Sequence, residues 1–321
     1  MSRPYRSMHI LTVNQAEKSM KLLNFLLRRL ETRATSGEVH RWIRTGQVRV
    51  NGKRAHAFDR LAAGDAVRLP PFAGDSARQD AIEVVVLPGE DLGHQLRVLA
   101  VTEDFLALEK PAGLPSQPGS KQETDVSTLL RNRFADALYI PAPAHRLDKK
   151  TSGILLAGRT HEAQEKLHAL FAQHDGRDIE KAYLAWVFGK WPHKDEQVLA
   201  DFLVKGVDTQ TGLERMQPTG REDGKKAKCR VSCLDVRETP LGTASLLRIV
   251  LETGRTHQIR VQLAIRNFPI IGDLKYRGIP FPLMLLHAYA VTIPWKGEAV
   301  ALTSLPPWPE SFSVAHVPSV A

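Results

Sequence analysis

The sequence predicts an α+β protein in two parts. A small basic N-terminal unit of two helices and a short sheet precedes a larger domain, a mixed and largely antiparallel sheet with flanking helices. Three observations point there. Charge is segregated: residues 1–75 hold 14 Lys/Arg against 6 Asp/Glu, whereas the other 246 residues hold 30 against 29. Helix and hairpin signals crowd into residues 16–69. From Arg97 onward, strand-like runs alternate with helical ones without the regular rhythm of βαβ units. The length of 321 residues, with 43% hydrophobic and 25% charged side chains, excludes wholesale disorder and fibrous classes. No apolar run reaches the roughly 18 residues that cross a bilayer; Phe281 to Pro294 is interrupted by His287. No apolar segment of a secretory signal follows Met1 to Arg6, and the two cysteines, Cys229 and Cys233, fit a reducing compartment. A soluble, cytoplasmic protein is expected.

In the first part, Leu22, Leu26 and Leu30 fall four apart, and Leu23 and Leu27 widen the stripe. Lys21, Arg28 and Arg29 lie on the other side, predicting an amphipathic helix over 16–31. Thr35 and Glu38 have capping-box spacing for a second helix that turns Val39, Trp42 and Ile43 inward and Arg41 and Arg44 outward. Gly46 stops it. Val48 and Val50 alternate with polar residues before Asn51-Gly52, a strong hairpin signal, and Val67 and Leu69 supply a later strand. Pro70 to Ser76 reads as an exit from this unit, followed by a strand-like run from Ile82 to Leu87 and a loose stretch from Pro88 to Gly93. A basic unit tethered to a near-neutral one points to nucleic acid.

In the second part, Val98 to Val101 and Phe105 to Glu109 predict a strand pair. Residues 124–134 and His161 to Gln173 read as helices. Gly153 to Ala157, Ala182 to Phe188, Cys229 to Asp235 and Leu246 to Glu252 read as strands. None is followed by a glycine-rich phosphate loop, so neither a dinucleotide nor a nucleoside triphosphate is implied. His161-Glu162-Ala163-Gln164-Glu165 lacks the second His of a zinc-protease motif, and the two cysteines read as core residues.

Two polar clusters concentrate chemistry. In His145 to Gly153 (HRLDKKTSG), Asp148 has Arg146, Lys149 and Lys150 as neighbours. Such cations favour the carboxylate form, which suits a nucleophile or ion-pair partner and suits a general acid poorly. In Thr253 to Arg260 (TGRTHQIR), two arginines, a His and a Gln crowd a strand end. They suit orienting a phosphate or pairing with a carboxylate such as Asp148. Tyr183 alternates with Ala185 and Val187, and periodicity alone makes it a core tyrosine.

Taken together, these stretches resemble a known family. Val39 to Lys53 (VHRWIRTGQVRVNGK) resembles the S4 RNA-binding domain, although Lys21-Leu22-Leu23 stands where that domain usually has Arg-Leu-Asp. HRLDKKTSG, KAYLAWVFG (181–189) and TGRTHQIRV (253–261) resemble, in order, the motifs of the RluA-type pseudouridine synthases. Lys110 to Gly113 (KPAG) and Pro269 to Tyr276 (PIIGDLKY) match two more. Gln117, Val261-Gln262 and Leu285 stand where the family often has His, Val-His and Arg.

The resemblance implies an isomerase that converts uridine in RNA to pseudouridine, on the branch acting on large-subunit (23S) ribosomal RNA. It implies a flipped uridine, no metal and no other cofactor; separately, the chain is expected to act as a monomer. By carry-over, Arg146 fills the space the base vacates, Asp148 is the nucleophile, Tyr183 stacks on the uracil, Arg255 holds Asp148 in an ion pair, and Ile259 packs beneath the base. Arg41, Arg44, Arg49 and Lys53 would face RNA phosphates, with Arg221, Lys225, Lys226 and Lys228 as a second basic loop. The expected divisions are a tail over 1–14, an S4-like module over 15–72, a linker over 73–96, a catalytic domain over 97–312 and a tail over 313–321. A non-catalytic RNA-binding or ribosome-assembly factor is the rival reading, and a nucleoside hydrolase is a weaker one because only Asp148 stands out where two carboxylates are needed.

Overall fold

The computed structural model describes residues 10–30, 34–70, 86–118, 124–137, 139–172, 179–207, 212, 214–220 and 223–317. The expected exit over 71–76, the strand-like residues 82–85 and Arg221 lie outside them. The N-terminal unit is a four-stranded sheet of β1 (Ile10–Thr12), β2 (Arg49–Val50), β3 (Lys53–Arg54) and β4 (Ala66–Arg68), in the order β1-β4-β2-β3. Helices α1 (Leu22–Leu30) and α2 (Ser36–Arg44) pack with it around Leu22, Phe25, Leu26, Val39 and Val67, all fully buried. The hairpin forms where Asn51 and Gly52 both take positive φ, 51° and 77°, as the twist of a two-residue turn demands. Thr35 and Glu38 close their capping box.

Three expectations need correction here. The helix expected over 16–31 begins only at Leu22. Asn14 caps a separate 3-10 turn over Gln15–Glu17, and Ser19 at φ 71° reverses the chain before α1 can start. Residues 10–12, expected in a tail, pair with β4 as an edge strand. The polar face of α1 is also engaged: Arg29 reaches buried Glu17 at 2.6 Å, and Arg28 lies 3.7 Å from the ring centre of Tyr139 and donates to the Ile140 carbonyl.

The larger domain is one mixed sheet of eleven strands among the described residues. They are β5 (Arg97–Val101), β6 (Phe105–Lys110), β7 (Ala142–Pro143), β8 (Ser152–Gly158), β9 (Glu180–Phe188), β10 (Gln197–Val207), β11 (Glu214–Pro218), β12 (Lys225–Thr239), β13 (Gly242–Leu251), β14 (Leu286–Trp295) and β15 (Glu298–Thr303). The main path runs β11-β10-β12-β13-β9-β14-β8-β6-β5, and the one parallel pair joins β14 to β8. Helices α3 (Val126–Arg133), α4 (His161–Ala172) and α5 (Gln258–Ala264) flank it. Lys225 to Lys228, expected in a loop, are the start of β12, and Lys228 pairs with Glu252 at 2.7 Å.

The domain is longer than expected at both ends. Val86, Leu92 and Leu96, expected in a linker, are buried beside Val98, Leu106 and Leu130. Val314 and Val317, expected in a tail, are buried with Trp186 and Trp308. Cys229 and Cys233 belong to one apolar cluster, as their spacing on a strand requires.

β8 enters the sheet through Gly153, whose φ of 112° suits glycine. A Cβ there would sit 2.3 Å from the Ala288 carbonyl oxygen of β14. Gly153→Ala is therefore expected to cost roughly 2–4 kcal/mol by combined backbone strain and overpacking. A urea unfolding curve checks this, and a midpoint equal to wild type would show that β14 yields without cost.

Candidate active site

The central strands bring distant parts of the chain to one place. Asp148 lies four residues before β8, whose start pairs with β14 at Ser152–His287 and Gly153–Ala288. Tyr183 of β9 lies opposite Ala288 on one side and Ile249 of β13 on the other. The chain leaving β13 runs through Thr253 to His257 into α5. Asp148, Tyr183, Arg146, Arg255, His257, Ile259 and Arg260 thereby line one cleft of about 140 Å³.

Much of the polar chemistry nearby serves to fix the two loops. Buried Lys110 donates from Nζ to the carbonyls of Pro111 at 2.8 Å, Leu114 at 2.8 Å and Lys149 at 3.2 Å. Burial pulls its proton affinity down to about 7, yet three carbonyl acceptors match the three protons of an ammonium. Ser116 Oγ donates to the Leu147 carbonyl and accepts from its N–H. His145 Nε2 accepts from the Leu156 N–H at 3.1 Å while its ring stacks on Phe171. On the other loop, Gln258 Oε1 accepts from the Thr253 hydroxyl at 2.7 Å and the Arg255 N–H at 3.0 Å, and its Nε2 donates to the Lys228 carbonyl.

Asp148 itself is held by Arg260. Nη1 of Arg260 donates to Asp148 Oδ2 at 3.0 Å. The rest of the guanidinium forms a two-pronged pair with Asp273, Nε to Oδ2 and Nη2 to Oδ1, both at 2.7 Å. Burial opposes the charge on Arg260, but the hydrogen bonds and charge of Asp273 outweigh it with help from Asp148, so its proton affinity rises. His257 Nε2 lies 3.6 Å from the same Asp148 oxygen, and its Nδ1 is 2.8 Å from the Tyr276 hydroxyl.

This corrects the assignment carried over to Arg255. Its Nε donates to the Lys226 carbonyl at 3.1 Å, so Arg255 lines the cleft without pairing with Asp148. The two arginines of the motif differ in position. Arg255 precedes the helix on its loop, whereas Arg260 is the third residue of α5 and 6% exposed. Ile259 is buried in an apolar cluster against which Tyr183 packs. Tyr183 is half-buried at the cleft wall, and burial, then the charge of Asp148, push its hydroxyl well above the ordinary tyrosine range. Arg146 is exposed at the mouth. Arg41, Arg44, Arg49 and Lys53 are exposed on the small domain, outside this cleft. Sequence reasoning had no role for Lys110, Ser116, Asp273 or Tyr276. The motifs that hold Lys110, Asp273 and Tyr276 were visible and Ser116 lay in none; only the fold shows that Lys110 and Ser116 hold the Asp148 loop and that Asp273 and Tyr276 hold Arg260 and His257. Among the described residues, no group of three or more His, Cys, Asp or Glu is placed to hold a metal ion.

The chain is similar to known proteins. Residues 104–265 match the family described as RNA pseudouridylate synthase. The chain is 30% identical over 310 residues to Ribosomal large subunit pseudouridine synthase C of Pasteurella multocida, covering 93% of this chain and 90% of that one. It is 30% identical over 309 residues to the protein of the same name in Escherichia coli, covering 92% of each. Among solved structures, Human RNA Pseudouridylate Synthase Domain Containing 1 superposes with a TM-score of 0.57 at 24% identity, covering 69% of this chain and 87% of that one; this likeness is one of fold.

Three imidazoles, His287 buried and His145 and His257 half-buried, make stability fall in acid. Burial lowers the proton affinity of His257 and His287 to about 4 and of His145 to about 3. In the unfolded chain each takes up a proton near pH 6.5. Below about pH 6.5 the unfolded state therefore binds more protons than the folded one, and stability drops until the native rings titrate. Urea midpoints should fall between about pH 7 and about pH 4.5, with a slope of up to about 1.4 kcal/mol per pH unit for each ring. His287→Asn should show a shallower fall; an identical slope would mean that His287 is not held neutral.

Proposed function

The chain belongs to the RNA pseudouridylate synthase family, and on that premise we propose that it isomerises uridine in large-subunit ribosomal RNA with Asp148 as the nucleophile. The observation that carries this is the Asp148 carboxylate, set in a cleft against buried Arg260 and facing a wall that includes Tyr183 and Ile259. The reaction exchanges the N1–C1′ bond of uridine for a C5–C1′ bond; C5 loses a proton and N1 gains one. Atoms and electrons are conserved, so no co-substrate is consumed. The ribosomal substrate is supported by relatives of that name that align over about nine-tenths of both chains.

A stacked uracil cannot offer both ring edges and its sugar to one side chain, so the nucleotide must leave the helix first. Exposed Arg146, at the mouth two residues before Asp148, is placed to enter the vacated stack. Tyr183 supplies an aromatic face for the uracil, and Ile259 an apolar floor. Arg260 orients the carboxylate, and Arg255 at the rim is available to an RNA phosphate. The small domain, read as an S4-like module, adds phosphate contacts through Arg41, Arg44, Arg49 and Lys53. The protein acts as a cytoplasmic monomer.

Tritium release from 5-³H-uridine-labelled large-subunit ribosomal RNA tests the assignment. Asp148→Ala should lose turnover by at least about a thousandfold while binding RNA within a few-fold of wild type. Turnover retained by that variant would overturn it. Replacing Arg41, Arg44, Arg49 and Lys53 together by Ala should weaken RNA binding and flatten its log–log salt dependence by about three units, at roughly 0.7 per lost single-strand contact. An unchanged slope would remove the small domain from the RNA interface.

A further inference from the structure

His257 stands out because its backbone is strained and its side chain lies between two polar partners. It precedes α5 with φ 54° and ψ 20°, in the left-handed region that residues with a Cβ seldom occupy. It gains nothing from capping the helix, since its side chain makes no cap hydrogen bond. Conformations of this kind persist where the surroundings enforce them, and they cluster at functional sites. Here the strained backbone carries an imidazole, 18% exposed, between Asp148 and Tyr276.

The hydrogen bonds decide where the ring proton sits. The Tyr276 hydroxyl oxygen accepts from the Met216 N–H at 3.1 Å and lies 2.8 Å from His257 Nδ1. The phenolic proton needs an acceptor, and Nδ1 is the one at hand, so Tyr276 donates to Nδ1. A neutral ring must then carry its proton on Nε2, which faces Asp148 Oδ2 at 3.6 Å. Such contacts are commonly long before substrate binds and shorten in the complex. Arg260 donates to this same oxygen. Both supports trace to one short turn: Asp273 braces Arg260 and Tyr276 braces His257, with the Arg260 guanidinium 5.0 Å from the Tyr276 ring centre.

We propose that His257 is a positioning residue for Asp148: locked by Tyr276 as the neutral Nε2–H tautomer, it joins Arg260 in gripping Oδ2 and leaves Oδ1 as the oxygen that reacts. The proposal rests on Asp148 being the nucleophile. A neutral donor orients the carboxylate without cancelling its charge, which an imidazolium beside Arg260 would do. The same arrangement argues against proton abstraction by His257, because Nε2 already bears a hydrogen and Nδ1 is occupied.

Two readouts on the full-length protein test this. Nitrogen-15 spectra of histidine-labelled wild type at neutral pH should show His257 protonated on Nε2 alone, and Tyr276→Phe should yield a mixture of tautomers. A wild-type ring protonated on Nδ1 overturns the proposal, as does a Tyr276→Phe ring that stays on Nε2 alone. In single-turnover assays, His257→Gln places an amide donor where Nε2 stood and should stay within about tenfold of wild type, whereas His257→Phe should fall about a hundredfold, the usual cost of losing one oriented donor. KM should move less than about threefold in both, since the loss falls on the chemical step. Equal rates for the two variants overturn the positioning role, and a Gln variant as impaired as the Phe variant points instead to proton transfer and overturns it too. Activity surviving in Asp148→Ala would defeat the nucleophile assignment, and the tautomer measurement separates that failure from this one.

Discussion

One guanidinium shared between two carboxylates is the constraint on which the site depends. Arg260 is 6% exposed and Asp273 only 1%, so neither charge has water to fall back on. Removing either carboxylate leaves a buried cation with half its partners, and removing Arg260 leaves buried Asp273 and half-buried Asp148 without their shared cation. Each case costs far more than the pair contributes to net stability, because desolvation offsets much of the Coulomb attraction. What the triad supplies is position. It ties the loop before β8, the first turn of α5 and the turn after Ile271 to a common point. The last of these needs Gly272: a Cβ there would lie 1.9 Å from the Leu283 carbonyl oxygen.

Around this point the polar side chains divide into two sets. Lys110, Ser116, His145 and Gln258 direct their hydrogen bonds chiefly at backbone groups of the two loops and of the strands and turn beside them. They leave little capacity for a substrate, and each satisfies a group that burial would otherwise leave without a partner. Asp148, Tyr183, Arg255, His257 and Arg146 line the cleft. The first set makes the second precise: a carboxylate on a loop fixed at Leu147, Lys149 and Thr151 has few orientations open to it.

The sequence was legible wherever a local rule fixes the geometry. Thr35 with Glu38 and Asn51 with Gly52 carry their structures within four residues, and both formed as expected. The stripe of leucines identified α1 but not its start, because Ser19 in a left-handed conformation reverses the chain and periodicity cannot register that. At the site, the family resemblance singled out Asp148, Tyr183 and the TGRTHQIR cluster, and residues of all three line the cleft. It did not tell Arg255 from Arg260. That choice depends on the left-handed turn at His257, which starts α5 so that its third residue points inward. Nor does strand alternation show that Tyr183 of β9 stands beside Asp148, because that proximity depends on β14 lying between β9 and β8.

The chain's surplus of positive charge lies away from this cleft. The buried core of the site holds one guanidinium against two carboxylates, with His257 kept neutral by burial. A strongly positive core would draw the phosphate backbone inward and quench the carboxylate. The cations lie further out instead: Arg146, Lys149 and Lys150 are exposed beside Asp148, and the surplus of the first 75 residues belongs to a separate sheet and helix pair. Long-range attraction, which salt screens within about 10 Å, brings RNA to the surface. In the proposed reaction, short-range contacts in the cleft then act on one flipped nucleotide. Arg28 joins the two regions, since its guanidinium sits on Tyr139 and bonds the Ile140 carbonyl only eight residues before Asp148. The small domain thus contacts the chain shortly before the loop that carries Asp148.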